Sequence, residues 1–89
     1  MNKTESVAAR LKYIMNQRGL KQVDVLNLAK PYCEKYNVKL AKNYLSQYCS
    51  GKNEPGKDIL NVLSLALDVN PAWLQGFDVP QEFSGAESN

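Results

Sequence analysis

Apolar residues recur at helical spacing in five short runs of this 89-residue chain, and a residue that ends helices follows four of the runs. Glycine and asparagine adopt the left-handed backbone conformation that terminates a helix at low cost. The four stops are Gly19, Asn37, Gly51 and Gly76. No run has the two-residue alternation of a strand, and the length suffices for one core rather than two. The sequence therefore predicts an all-α fold of five helices.

The helix limits follow from the apolar runs and from the residues that flank them. We predict helices at about Glu5–Arg18, Gln22–Tyr36, Ala41–Ser50, Lys57–Asp68 and Pro71–Gln75. Thr4 or Ser6 can cap the first helix, and Asn70 precedes a proline at the first position of the fifth. Pro31 interrupts the second run, which we expect to continue as a kinked helix with Val25, Leu26, Leu28 and Ala29 on its core side.

The charges are divided unevenly along the chain. Residues 1–57 hold all eleven basic residues and four acids, a net charge of +7, whereas residues 58–89 hold five acids and no base. A basic N-terminal part attracts polyanions, although an unevenly charged solvated surface has the same pattern. We expect a domain at residues 1–79 and a flexible linker or tail at residues 80–89.

Cysteine use and hydropathy exclude several classes of protein. The chain has no histidine, and Cys33 and Cys49 are sixteen positions apart, so we expect reduced thiols, no metal site and no cofactor. No apolar run is long enough to span a bilayer, and the N-terminus lacks the apolar stretch of a signal peptide. The chain also lacks a nucleophile motif and a phosphate-binding glycine loop, so we predict a cytoplasmic protein that is not an enzyme.

The segment Leu40–Pro55 carries the strongest functional indication. Its predicted helix has an apolar side, and its other side is rich in amides and hydroxyls and has no carboxylate. Leu45, Tyr48 and Cys49 form the apolar side, and Lys42, Asn43, Ser46, Gln47 and Ser50 form the polar side. Amides, hydroxyls and ammonium groups are the groups that pair with base edges and phosphates. An ordinary solvated helix face has the same composition, so both interpretations stay open here.

Four elements in order resemble the lambda-repressor-like (Cro/repressor-type, XRE) helix-turn-helix family, over roughly residues 8 to 79. The matching stretches are Arg10-Leu11, Gly19-Leu20-Lys21-Gln22, Leu45-Ser46-Gln47-Tyr48 with Gly51 and Pro55, and Leu65-Ala66 through Val69-Asn70 to Ala72-Trp73-Leu74-Gln75-Gly76. The last stretch, to Phe77-Asp78-Val79-Pro80, is similar to repressors of temperate phages of Gram-positive bacteria. Two departures are an extended second helix or connector before Ala41, and alanine at the position where the family usually has a serine or threonine cap.

The resemblance implies a five-helix DNA-binding domain whose third helix enters the major groove. By position, the implied base contacts are Lys42, Asn43, Tyr44 and Gln47. The implied phosphate contacts are Lys21, Gln22, Ser46, Lys52, Asn53 and Lys57. Each of these residues could instead be an ordinary exposed polar side chain, and for Gln22 the two interpretations are evenly balanced.

Two classes of function remain. The first is a prophage-type transcriptional repressor that binds a palindromic operator of double-stranded DNA as a dimer, associated with the nucleoid of a bacterial host cell. We expect its oligomerisation to depend on a part of the protein that lies beyond these 89 residues. The second is a helical protein-interaction module with a toxin or antirepressor partner and no DNA specificity of its own. Binding to DNA that weakens with salt would distinguish the first from the second.

Overall fold

Five α-helices make up the described part of the chain, which in this computed structural model comprises residues 2–82. They are α1 Val7–Arg18, α2 Gln22–Tyr36, α3 Lys42–Ser50, α4 Lys57–Leu67 and α5 Pro71–Gln75. The all-α prediction is therefore confirmed for these residues. Of the predicted tail at residues 80–89, residues 83–89 lie outside the described residues.

Left-handed residues end the helices where the sequence indicated stops. Gly19, Asn37, Gly51 and Gly76 all have positive φ angles, between 56° and 108°. The predicted start of the first helix at Glu5 was two residues early, because the Ser6 side chain is the cap and accepts a hydrogen bond from the Ala9 N–H at 3.1 Å. The fourth helix ends at Leu67, since Asp68 is itself left-handed, with φ of 55°.

The second helix runs unbroken through Pro31 to Tyr36. Proline has no backbone N–H, so the carbonyl of Asn27, four residues earlier, lacks its usual helical partner. Both Pro31 and Asn27 are exposed, and this carbonyl can therefore bond to water. Val25 and Ala29 are buried as predicted, but Leu28 is 44% exposed. The prediction of Leu28 as a core residue was wrong. Leu28 has the helical spacing of the buried residues, but it lies beyond the side of α2 that α4 and α3 cover.

One core joins all five helices. Its fully buried side chains come from all five helices and from the short connection after α4. They include Leu11, Ile14, Val25, Leu45, Leu63, Leu67, Val69 and Leu74. Because α3 contributes Leu45 to this core and packs against both α1 and α2, its outer side has a fixed direction relative to the rest of the molecule.

The two ends of the described chain are held together by backbone hydrogen bonds. Residues Lys3 and Phe77 form an isolated antiparallel bridge, and the N–H groups of Thr4 and Glu5 both donate to the Gly76 carbonyl. The Asn70 N–H donates to the Gln81 carbonyl at 2.8 Å, so contacts with the helices reach Gln81. The segment before α1 is thereby tied to the segment after α5.

Candidate nucleic-acid interface

The third helix has one buried and one exposed side. Leu45, Tyr48 and Cys49 are at most 9% exposed, in agreement with the predicted apolar side. The opposite side presents Lys42, Asn43 and Ser46 to solvent, with Gln47 half-buried beside them. The predicted polar side is therefore not used for packing within the described part of the chain.

The composition of this exposed side restricts what it can bind. It carries one ammonium, two amides and two hydroxyls, and the nine residues of α3 include no carboxylate. Asn43 and Gln47 are four positions apart, so they are neighbours on the helix surface. Tyr44, next to them, is 48% exposed and adds an apolar edge. The face can donate and accept hydrogen bonds at a base edge without repelling phosphate.

The turn after α3 folds back onto Gln47. Gly51, with φ of 84°, reverses the chain so that the Lys52 and Asn53 N–H groups donate to the Gln47 carbonyl at 3.0 and 3.4 Å. The Ser50 hydroxyl donates to the same carbonyl at 3.1 Å. The Asn53 side-chain N–H donates to Oε1 of Gln47. Asn53 thus lies against Gln47, a residue predicted to contact bases, and the sequence did not predict this contact.

One lysine lies in this turn, and a second lies at the start of the next helix. Lys52 is exposed in the turn, and Lys57 is exposed at the first position of α4. The cap of α4 is Gly56, whose lack of a side chain leaves the first N–H groups of that helix without a side-chain acceptor from the cap residue. Such N–H groups favour phosphate oxygens, although Asp58 in the same turn opposes anion binding.

The start of α2 holds the remaining predicted phosphate contacts. Lys21 is exposed and Gln22 is half-buried. The carboxylate of Asp24 accepts a hydrogen bond from the backbone N–H of Lys21 at 2.8 Å, which places a negative charge at the start of α2. No hydrogen bond within residues 2–82 joins Lys21 or Gln22 to α3. Within these residues, Lys21 and Gln22 are related to the exposed side of α3 through the packing of α2 against α3.

Three of the eleven basic residues have partners within the protein. The Arg10 guanidinium donates to the Trp73 carbonyl at 3.1 Å, and the Arg18 guanidinium donates to the Leu67 carbonyl. Both carbonyls lie in the last turn of a helix, where a cation is favourable. The Lys3 ammonium lies 4.0 Å from the Glu54 carboxylate. The positive charge available to a polyanion is therefore mostly lysine charge.

The environment of each cysteine favours the protonated thiol over the reactive thiolate. Burial raises the pKa of the Cys49 thiol, and the positive charge of Lys12 partly offsets that rise. Burial and the neighbouring Glu34 carboxylate raise the pKa of Cys33. A raised thiol pKa lowers the thiolate fraction at neutral pH, and both cysteines are free. Residues 2–82 contain no cluster of three Cys, Asp or Glu side chains that could hold a metal ion.

The predicted site residues divide into two groups in the structure. One continuous stretch of chain, from α3 through the following turn to the start of α4, carries most of them. It comprises Lys42, Asn43, Tyr44, Ser46, Gln47, Lys52, Asn53 and Lys57. Lys21 and Gln22 lie at the start of a different helix. For both groups, the predicted contacts with DNA stay predictions.

None of the helices within residues 2–82 combines the length and the apolar character needed to cross a bilayer. No protein family model matches the sequence. No curated protein matches it either.

Proposed function

We propose that the chain binds double-stranded DNA sequence-specifically, with α3 in the major groove, and acts as a transcriptional repressor of the prophage type. The observation that carries the proposal is the two-sided character of α3: its apolar side is buried, and its carboxylate-free amide and hydroxyl side is exposed. The resemblance to the lambda-repressor-like family supports the same function and the same helix. Such a protein would act in a bacterial cytoplasm, bound to the nucleoid.

In this proposal the side chains of α3 and the lysines around it have separate roles. Asn43 and Gln47 contact base edges, where an amide with both its oxygen and its nitrogen available can donate to N7 and accept from N6 of adenine. Lys42 approaches guanine or a phosphate, and Tyr44 contacts the groove wall. Lys52 and Lys57 contact phosphates, which sets the register of the helix without reading sequence.

The proposed mechanism of repression is occupancy. Two copies bind a two-fold symmetric operator, with half-site centres about 34 Å apart, one turn of the duplex. A protein bound across a promoter excludes the polymerase. The acidic residues that follow Lys57 in the sequence, among them Asp68 and Asp78, would face away from the phosphates.

The experiment is a selection of duplexes from a randomised library, followed by titration against the selected and a scrambled duplex. Gln47→Ala should cost about 1–3 kcal/mol on the selected duplex and relax preference at one base pair. Lys52→Ala should weaken binding to both duplexes and reduce the salt slope by about one. Gln17→Ala, which removes an exposed amide from α1, is the matched control and should leave both affinities unchanged. Equal losses on the two duplexes for Gln47→Ala would refute its base-reading role.

A helical protein-interaction module, with a toxin or antirepressor as partner, is the second candidate, and one observation favours it. Leu28 and Tyr36 on α2 are 44% and 45% exposed, with Tyr32 half-buried between them at the same helical spacing. An exposed apolar stripe is typical of a protein contact. A native chain with no salt-dependent affinity for any duplex would favour this candidate over DNA binding.

A further inference from the structure

We infer that Asn53 is the positioning residue for Gln47, and that the two amides act as one unit in reading a base pair. The inference rests on the proposed function. It assigns to Asn53 an action through Gln47, in place of the phosphate contact that the family resemblance implies.

The backbone brings the two residues together independently of their side chains. Gly51 reverses the chain at the end of α3, and the Asn53 N–H donates to the Gln47 carbonyl at 3.4 Å. The neighbouring Lys52 N–H donates to the same carbonyl at 3.0 Å and to the Ser50 hydroxyl at 3.4 Å. This turn is thus held by several bonds, and it places residue 53 over the last turn of the recognition helix.

The side-chain bond then gives the Gln47 amide a direction. Nδ2 of Asn53 donates to Oε1 of Gln47, so the glutamine carbonyl points toward Asn53. An amide group has its oxygen and nitrogen on opposite sides of one planar unit, so Nε2 of Gln47 is turned away from Asn53. Gln47 therefore presents an N–H donor, and its ordinary freedom to exchange oxygen and nitrogen by rotation is restricted.

A fixed donor selects its partner on a base edge. In the major groove the acceptors are purine N7, guanine O6 and thymine O4, whereas adenine N6 and cytosine N4 are donors. With Asn53 in place, Gln47 reads a position that offers an acceptor to Nε2. The side chain is also ordered before DNA arrives, so less rotamer freedom is lost on binding.

Replacing Asn53 by aspartate should reverse the orientation of the Gln47 amide. A carboxylate accepts hydrogen bonds and cannot donate one, so it would bond to Nε2 of Gln47 and leave Oε1 outward. The base preference at the Gln47 position should then move from an acceptor to a donor on the base edge. The added negative charge weakens binding to every duplex, so the preference at that position, rather than the affinity, is the quantity to measure.

The experiment is a double-mutant cycle on the duplex that the wild-type chain selects from a randomised library. Gln47→Ala and Asn53→Ala should each weaken binding about tenfold, and the double variant should lose about tenfold rather than about a hundredfold. Asn53→Ala should relax preference at the same base pair as Gln47→Ala, with an unchanged salt slope. Asn53→Asp should change the preferred base there. Gln17→Ala is the control, and circular dichroism verifies that each variant is folded.

The outcomes separate the inference from the proposed function. Additive losses, or an Asn53→Ala variant that weakens selected and scrambled duplexes alike with a smaller salt slope, would overturn the positioning role and restore the phosphate contact. An unchanged base preference in Asn53→Asp would also overturn it. If the wild-type chain enriches no sequence, the proposed function fails, and the inference fails with it.

Discussion

The guanidinium carbon of Arg10 lies 4.6 Å from the centre of the Trp73 ring, and an N–H of the same group donates to the Trp73 carbonyl at 3.1 Å. The Arg10 guanidinium thus lies over the face of the indole and also donates a hydrogen bond to the Trp73 carbonyl in the last turn of α5. Tyr13, one turn further along α1, meets the same ring edge-on at 5.9 Å. These contacts attach the short fifth helix, which has few residues of its own to bury, to the first.

Arg10→Ala should lower the free energy of unfolding by about 1–3 kcal/mol, because a cation–π contact and a hydrogen bond are lost together. Arg10→Lys should recover only part of the loss, since an ammonium cannot both stack flat and donate in that geometry. Urea denaturation measures both. The control is Lys12→Ala on the exposed side of α1; a loss for Arg10→Ala no larger than for Lys12→Ala would show that the contact does not stabilise the fold.

Gly76→Ala should be among the most destabilising single substitutions in the chain. A Cβ at this position would lie 1.9 Å from the Glu5 carbonyl oxygen, on a residue with φ of 108°. The clash is with the backbone that joins the segment before α1 to the segment after α5, so a loss of about 3 kcal/mol or more is expected. Gly19→Ala is the matched control, because Gly19 has φ of 65° and open space around it, and should lose about 1–2 kcal/mol. Equal losses in thermal denaturation would contradict the account of Gly76.

Ala41→Ser should stabilise the protein by about 1 kcal/mol. Ala41 is the cap residue of α3, has the extended backbone of a cap, and makes no side-chain hydrogen bond. A serine hydroxyl there can accept a bond from a free N–H of the first turn. The reverse substitution Ser6→Ala, at the cap of α1, should lose a similar amount. If Ala41→Ser leaves the urea midpoint unchanged while Ser6→Ala lowers it, the cap position of α3 is assigned wrongly.

The stability of the protein should fall at alkaline pH, in part through Cys49. Burial raises the pKa of this thiol in the folded state, so the folded protein holds its proton more tightly than the unfolded chain does. The resulting stability is complete below about pH 8.5, the ordinary pKa of a cysteine, and is lost as the pH rises through the raised value. Urea midpoints of wild type and Cys49→Ala between neutral and alkaline pH should therefore converge. Parallel curves would show that the thiol does not contribute.

The helix limits could be predicted from the sequence because local residues determine them. Gly19, Asn37 and Gly51 end helices through their own backbone preferences, and helical apolar spacing identified Val25 and Leu45 as core residues. The two-residue error at the start of α1 arose from a choice between two adequate caps, Thr4 and Ser6, that only the finished geometry decides.

Contacts between distant parts of the chain could not be predicted in the same way. Arg10 and Arg18 bond to carbonyls 63 and 49 positions away, and no local pattern distinguishes them from solvated arginines. The Asn53–Gln47 bond spans only six positions, yet it depends on the turn at Gly51 and on two side-chain rotamers. The exposed side of α3 was predictable in composition, because helical spacing alone separates it from Leu45, Tyr48 and Cys49.

The central claim is that the exposed side of α3 lies in a groove of duplex DNA. Its most direct test is a titration of the ¹⁵N-labelled chain with the selected duplex, about 20 base pairs long, followed residue by residue by NMR. We expect the largest shifts at Asn43 and Gln47, including their side-chain amides, with smaller ones at Lys52 and Lys57. Shifts confined to the Leu28–Tyr36 stripe of α2, with the α3 amides unchanged, would contradict the claim.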